Sequence, residues 1–161
     1  MIPNSVTSIG EAAFSRCRNL TQMIIPDSVV SMGTQVFSEC TELKSVTLSK
    51  NMTAIPFDTF LSCKSLTSVT IPDGVTSISA SAFNYCAALS SVTIPDSVTA
   101  IGWAAFSNCS ALTDVYYDGT EEQWKQVKID NSNDENKCLN NATIHFCLLY
   151  TSPSPRDVEE S

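Results

Sequence analysis

An apolar residue, a polar Pro-Asp-Ser stretch, a Val and an Ile three apart, then Ala-Phe, Cys and Leu-x-x-Val follow one another in a fixed order along this chain. The order recurs every 23 residues without insertion or deletion, opening at Ile2, Ile25, Leu48, Ile71 and Ile94. One such copy is too short to enclose a core of its own, so successive copies must stack to bury their apolar positions. The period therefore predicts a solenoid, with residues 1–117 forming five repeats.

Each copy contains a segment with the alternation of a half-buried strand. Met23-x-Ile25 becomes Val46-x-Leu48, Val69-x-Ile71, Val92-x-Ile94 and Val115-x-Tyr117, with polar residues mostly between them. Equal spacing pairs these strands in parallel, about 4.8 Å apart, and predicts one sheet of five. Proline follows at positions 3, 26, 72 and 95, where its missing N–H ends the ladder and turns the chain; Ser49 takes its place in the third copy. After the turn, Phe14 and Cys17 are three apart, as are their equivalents in every copy. That spacing fits a single helical turn on the opposite, convex side. Across copies the apolar positions align as ladders, Phe14-Phe37-Phe60-Phe83-Phe106 and Leu20-Leu43-Leu66-Leu89-Leu112 among them.

The frame stops after Tyr117. Asp118-Gly119 signals a tight turn, and Thr120 with Gln123 three residues later forms a capping box for a short helix carrying Trp124 and Val127 on one side. Residues 118–146 are expected to cap the last apolar layer, closing with the strand Thr143–Phe146. No equivalent piece precedes the first repeat, which predicts an open apolar edge and self-association there. From Cys147 the composition changes abruptly. Cys147 to Asp157 back-translates to a sequence resembling a transposase adapter used in DNA library preparation, so residues 147–161 are expected to be a non-native tail and the whole a piece of a longer product.

Charge and composition narrow the function. Nine Lys and Arg against 17 Asp and Glu give a net charge of -8, the wrong sign for a nucleic-acid partner. No apolar run nears the roughly 20 residues that cross a bilayer, so membrane insertion of this chain is not expected. Five of the seven cysteines, at 17, 40, 63, 86 and 109, share one repeat position. Their side chains point the same way rather than at one another, which favours buried free thiols used as packing over disulfides. No CxxC or HxxxH pair suggests a metal, and His145, the single histidine, reads as a strand residue. No nucleophile-base constellation, GxSxG, GxGxxG or Walker loop appears, so neither catalysis nor a cofactor is expected. Sequons at Asn19, Asn51, Asn108 and Asn141 are expected by chance in so Ser- and Thr-rich a chain.

The frame Ile-Pro-Asp-Ser-Val-Thr-x-Ile-Gly-x-x-Ala-Phe-x-x-Cys-x-x-Leu-Thr-x-Val resembles the leucine-rich repeat of the BspA-like surface proteins over residues 2–117. Tyr116-Tyr117-Asp118-Gly119-Thr120-Glu121-Glu122-Gln123-Trp124 is similar to the segment that ends such arrays. The resemblance implies a leucine-rich repeat solenoid with a parallel β-sheet on its concave face and short helical turns on its convex side. It also implies a place on the cell surface or in secretion, and a non-enzymatic role in adhesion to protein or glycoprotein partners. The third copy departs from the frame at Leu48-Ser49-Lys50-Asn51-Met52 and at Pro56, which alters turn geometry. Residues between the inward Val and Ile face the concave surface and are the candidate binding positions: Gln22, Ile24, Ser45, Thr47, Ser68, Thr70, Ser91, Thr93, Asp114 and Tyr116. These residues also serve a plainer end, because Thr favours strands and keeps an exposed face hydrated. An accessory or spacer domain of a larger surface enzyme, or a structural stalk, fits the same array.

Overall fold

The protein is seen in a computed structural model that describes residues 1–147. Every repeat contributes a two-residue strand followed by a longer one. These are β1 (Ser8–Ile9) and β2 (Gln22–Ile24), β3 (Ser31–Met32) and β4 (Ser45–Thr47), β5 (Ala54–Ile55) and β6 (Ser68–Thr70), β7 (Ser77–Ile78) and β8 (Ser91–Ile94), and β9 (Ala100–Ile101) and β10 (Asp114–Tyr117). All pairings are parallel and offset by one repeat, Ser68 opposite Ser91 and Ser91 opposite Asp114. The chain is thus the expected parallel β-solenoid with 23-residue turns. The short strands form a second, narrow ladder beside the long ones, which the spacing of Val and Ile after each proline had not marked as strand.

Between the short and long strands the convex side is built from overlapping turns rather than helix. In repeat one Ala13 N–H donates to Gly10 O, Ser15 to Ala12 O and Cys17 to Phe14 O. Two left-handed residues interrupt each copy, at 12, 35, 58, 81 and 104 and again at 16, 39, 62, 85 and 108, with φ between 53° and 62°. They stop the turns from propagating as a helix, and they aim alternate N–H groups along the solenoid axis. Ala12, Phe14 and Arg16 donate to Thr34, Val36 and Ser38 of the next repeat at 2.8 to 3.0 Å. Hydrogen bonds between repeats reward a backbone conformation that L-residues otherwise avoid.

Inside the stack, like sits on like. Phe37, Phe60, Phe83 and Phe106 are fully buried, their rings stacked at centroid distances of 5.2 to 5.5 Å, with Phe14 at the open end. The Cys column follows the same rule, and its thiols are free. Cys40, Cys63, Cys86 and Cys109 each donate through Sγ to the carbonyl of a Phe one repeat back, at 3.1 Å. Cys17, in the first repeat, is exposed. Burial pushes the Cys109 thiol up to about 12 and raises Cys86 as well, so these buried thiols are chemically quiet.

One expectation needs correction: the five long strands do not make one sheet. β2 pairs with β4, and β6-β8-β10 form a separate ladder; the short strands divide at the same boundary, β1-β3 apart from β5-β7-β9. For the short strands proline supplies the reason. Gly33, Ser79 and Gly102 donate their N–H to Ile9, Ile55 and Ile78 at 2.8 to 2.9 Å, and Pro56, at the same repeat position, has no N–H to give. On the convex side the bonds across this boundary persist, from Gln35, Phe37 and Glu39 to Phe57, Thr59 and Leu61. Repeats two and three are therefore bonded at their backs, while their strands lie side by side without ladder pairing. Ser49, which replaces the usual proline, ties the boundary by donating to Val29 O at 2.6 Å.

After Tyr117 the chain forms α1 (Glu121–Trp124), β11 (Lys128–Ile129), a 3-10 turn (Ser132–Asp134), α2 (Lys137–Asn141) and β12 (Thr143–Phe146). The Thr120 and Gln123 capping box is present, at 3.2 and 2.8 Å. β11 continues the short-strand ladder beside β9, and β12 continues the long one beside β10. Trp124 meets the edge of Tyr117 at 5.0 Å. Asn136 substitutes for a further repeat on the convex side: its Oδ1 accepts from Phe106 N–H, and its Nδ2 donates to Gly102 O and Asp130 O. Of the expected foreign tail, only Cys147 lies within the described residues, its N–H donating to Tyr117 O.

Candidate interaction surface

Strand alternation fixes which side chains leave the core. Val46, Val69, Val92 and Val115 point inward from the long strands, and the residues on either side of each point outward in two parallel rows. The first row holds Gln22, Ser45, Ser68, Ser91 and Asp114, and β12 extends it to Thr143. The second holds Ile24, Thr47, Thr70, Thr93 and Tyr116, extended to His145. All ten candidate residues thus share one face, divided by the seam between β4 and β6. A cavity of about 510 Å³ lies over that seam, lined by both strands with Lys50, Asp73 and Asp118 at its rim. Burial together with the nearby charges of Asp73 and Asp96 pushes the Asp118 carboxyl up.

The two ends of the face differ in chemistry. At the first repeat Ile24 is 62% exposed, an apolar group where its equivalents are hydroxyls. At the far end a compact cluster forms. His145 Nε2 donates to Asp114 Oδ1 at 2.7 Å, Thr113 Oγ1 donates to Asp114 Oδ2 at 2.7 Å, and the His145 ring stacks on Tyr116 at 4.8 Å. Those two hydrogen bonds, His145 first, hold the Asp114 carboxyl below the usual carboxylate range. Tyr116 remains 45% exposed, so the pair offers solvent a flat aromatic surface beside a fixed acceptor.

His145 and Thr143 belong to this face, and sequence reasoning passed over them. The signal was available: Ile144 and Phe146 alternate as Val115 and Tyr117 do, which puts His145 in the outward row. Strand assignment alone did not say what it would stack on. Among the described residues no group of three or more His, Cys, Asp or Glu could hold a metal ion. No helix there is long and apolar enough to cross a membrane.

Comparison with known proteins agrees with this architecture. The family model for the BspA type leucine rich repeat region matches residues 1–113 in six copies. Among solved structures, a leucine rich cell surface protein from Faecalibacterium prausnitzii A2-165 is 42% identical over 79% of this chain and 34% of its own, with a TM-score of 0.78. The T. pallidum leucine-rich repeat protein is 32% identical over 69% of this chain and 52% of its own, TM-score 0.67. Pneumococcal vaccine antigen PcpA, at 16% identity and TM-score 0.68 over 89% of this chain and 40% of its own, shares the fold. A search of curated proteins gave no match. This chain spans about a third to a half of the length of those three structures. With the repeat frame, the register of its ladders and the family match in agreement, the chain belongs to the BspA-type leucine-rich repeat family.

Proposed function

We propose that this chain is a non-enzymatic protein-interaction module of a microbial cell-surface or secreted adhesin, binding host or neighbouring-cell macromolecules through the outward face of its long strands. The observation that carries the reading is the Tyr116, His145 and Asp114 cluster beside the Ser and Thr rows. An exposed aromatic pair contributes nothing to the core, whereas aromatic anchors next to satisfied polar groups are what interfaces concentrate. The Ser and Thr rows supply flat, weakly polar contact area around that anchor. The surface placement draws support from the F. prausnitzii relative, which is described as a cell surface protein. Residues 118–146 act in this reading as the C-terminal cap. The first repeat, whose Ile2, Val6, Phe14 and Met23 surround an apolar hollow of about 420 Å³, is the place for self-association, visible as a rise in sedimentation coefficient with concentration.

Binding of the full chain to epithelial cells and immobilised host matrix proteins tests the function. The expected result is saturable binding above that of an unrelated solenoid, weakened roughly tenfold or more by Tyr116→Ala and abolished by combined Ser68→Arg and Ser91→Arg. Binding indifferent to all three changes removes the strand face from the mechanism.

A further inference from the structure

A second cleft lies away from the strand face, where the convex turns of repeats four and five meet the C-terminal segment. It has a volume of about 600 Å³, and its walls include Tyr85, Trp103, Asn84, Asn108, Asp134 and Lys137. Trp103 is 42% exposed and Tyr85 51%. The repeat frame shows that the fold does not require either ring. Positions equivalent to Trp103 hold Glu11, Thr34, Phe57 and Ala80; those equivalent to Tyr85 hold Arg16, Glu39, Ser62 and Asn108. Large aromatic surface left in water is unfavourable, and here two such rings border one hollow fringed by amides.

We propose that this cleft binds a neutral carbohydrate. Pyranose rings present an apolar C–H face and a rim of hydroxyls that both donate and accept. Trp103 and Tyr85 supply apolar surface for the first, and the Asn84 and Asn108 amides with the Asp134 carboxylate supply partners for the second. Asn108 is held in place, its Nδ2 donating to Asn84 Oδ1 at 3.3 Å and to Ser107 Oγ at 3.1 Å. Ser107 in turn donates to Glu135 Oε2 at 2.8 Å, so the cap-side wall is fastened to repeat five. Asp134 and Glu135 outnumber Lys137, which disfavours sialylated or sulfated sugars and selects uncharged ones. The volume lies within the range of small-ligand pockets.

Two tryptophans, Trp103 and Trp124, give two indole N–H resonances, and Trp124 packed on Tyr117 serves as the internal control. Titration of the full chain with lactose, maltotriose, mannotriose and chitotriose to about 10 mM saturates any site of millimolar Kd. The expected result is a saturable shift of the Trp103 indole with at least one of them, none with sialyllactose beyond its lactose part, and binding weakened roughly tenfold or more in Trp103→Ala and in Tyr85→Ser. Both substitutions install residues already present at equivalent positions, Ala80 and Ser62, so the fold is kept. Tyr116→Ala on the strand face leaves this binding unchanged. Absence of a Trp103 shift across the panel overturns the proposal, as does binding indifferent to both variants. Trp103-dependent capture of an enzymatically deglycosylated host protein, with no sugar response, assigns the cleft to a protein instead.

Discussion

Asn136 is fully buried and makes three hydrogen bonds: it accepts from Phe106 N–H at 3.0 Å, the bond the next repeat supplies to the other Phe residues of the column, and it donates to Gly102 O at 2.9 Å and to Asp130 O at 2.7 Å. Asn136→Ala removes all three. The Phe106 amide is buried and would lose its partner outright, costing about 2 kcal/mol, while the two carbonyls lie nearer to solvent and cost about 1 kcal/mol or less each. The sum, with the lost packing, is about 3 to 4 kcal/mol. Asn140→Ala in the same segment removes a single exposed bond, to Asn131 at 2.8 Å, and should cost no more than about 0.5 kcal/mol. Asn136→Asp keeps the acceptor for Phe106 but turns an anionic oxygen toward two carbonyls, so at neutral pH it should be worse than Ala despite its equal size. Urea unfolding followed by tryptophan fluorescence measures the three costs, and hydrogen exchange locates them. Protection should fall first at Phe106 and less at Phe60, because a solenoid loses its ends before its middle. Equal costs for Asn136→Ala and Asn140→Ala, or unchanged protection at Phe106, would refute the view that one side chain closes the convex ladder.

Three further outcomes follow from the same geometry. A Cβ at Gly102 would sit 2.5 Å from the Ala80 nitrogen, whereas one at Gly10 meets nothing within 4 Å; Gly102→Ala should cost several times more than Gly10→Ala in urea melts. Unfolded thiols ionise near 9 while burial holds Cys109 up at about 12 and Cys86 high as well, so the stability they confer is complete below pH 9. Above that the unfolded chain releases protons the folded one retains, and stability should fall by up to about 1.4 kcal/mol per pH unit for each thiol; Cys86→Ala should make that decline shallower, and an unchanged slope would count against it. Finally, His145→Ala should move the depressed Asp114 carboxyl back up toward the ordinary range in a carbon-detected NMR titration, leaving Asp130, held down by its bonds with Ser132, where it was.

Much of the fold was legible because a solenoid converts sequence period directly into spatial neighbours. Position 14 lies on position 37 wherever the frame is kept, so the Phe and Cys ladders and the two outward rows could be written down from spacing. Where the frame breaks, legibility ended. Pro56 was visible as a departure, but its effect on the strands depended on whether the convex bonds would hold, which no local pattern reveals. The convex turns were similarly ambiguous: Phe14 to Cys17 spacing suits a helical turn, and only the bonds to the next repeat stabilise the left-handed residues that replace it. As for the surface, the ten outward residues were readable, and the partner of Asp114, 31 residues away at His145, was not.

The sequence by itself determined the period, the parallel stacking, the composition of the core and which side chains face outward, because each follows from a 23-residue repeat and strand alternation. Only the tertiary structure decided how the stack ends, where it parts, and which distant groups meet: Asn136 under Phe106 and His145 on Tyr116. Those juxtapositions join residues outside the repeat register, and burial, hydrogen bonding and the missing N–H of one proline settle them in three dimensions.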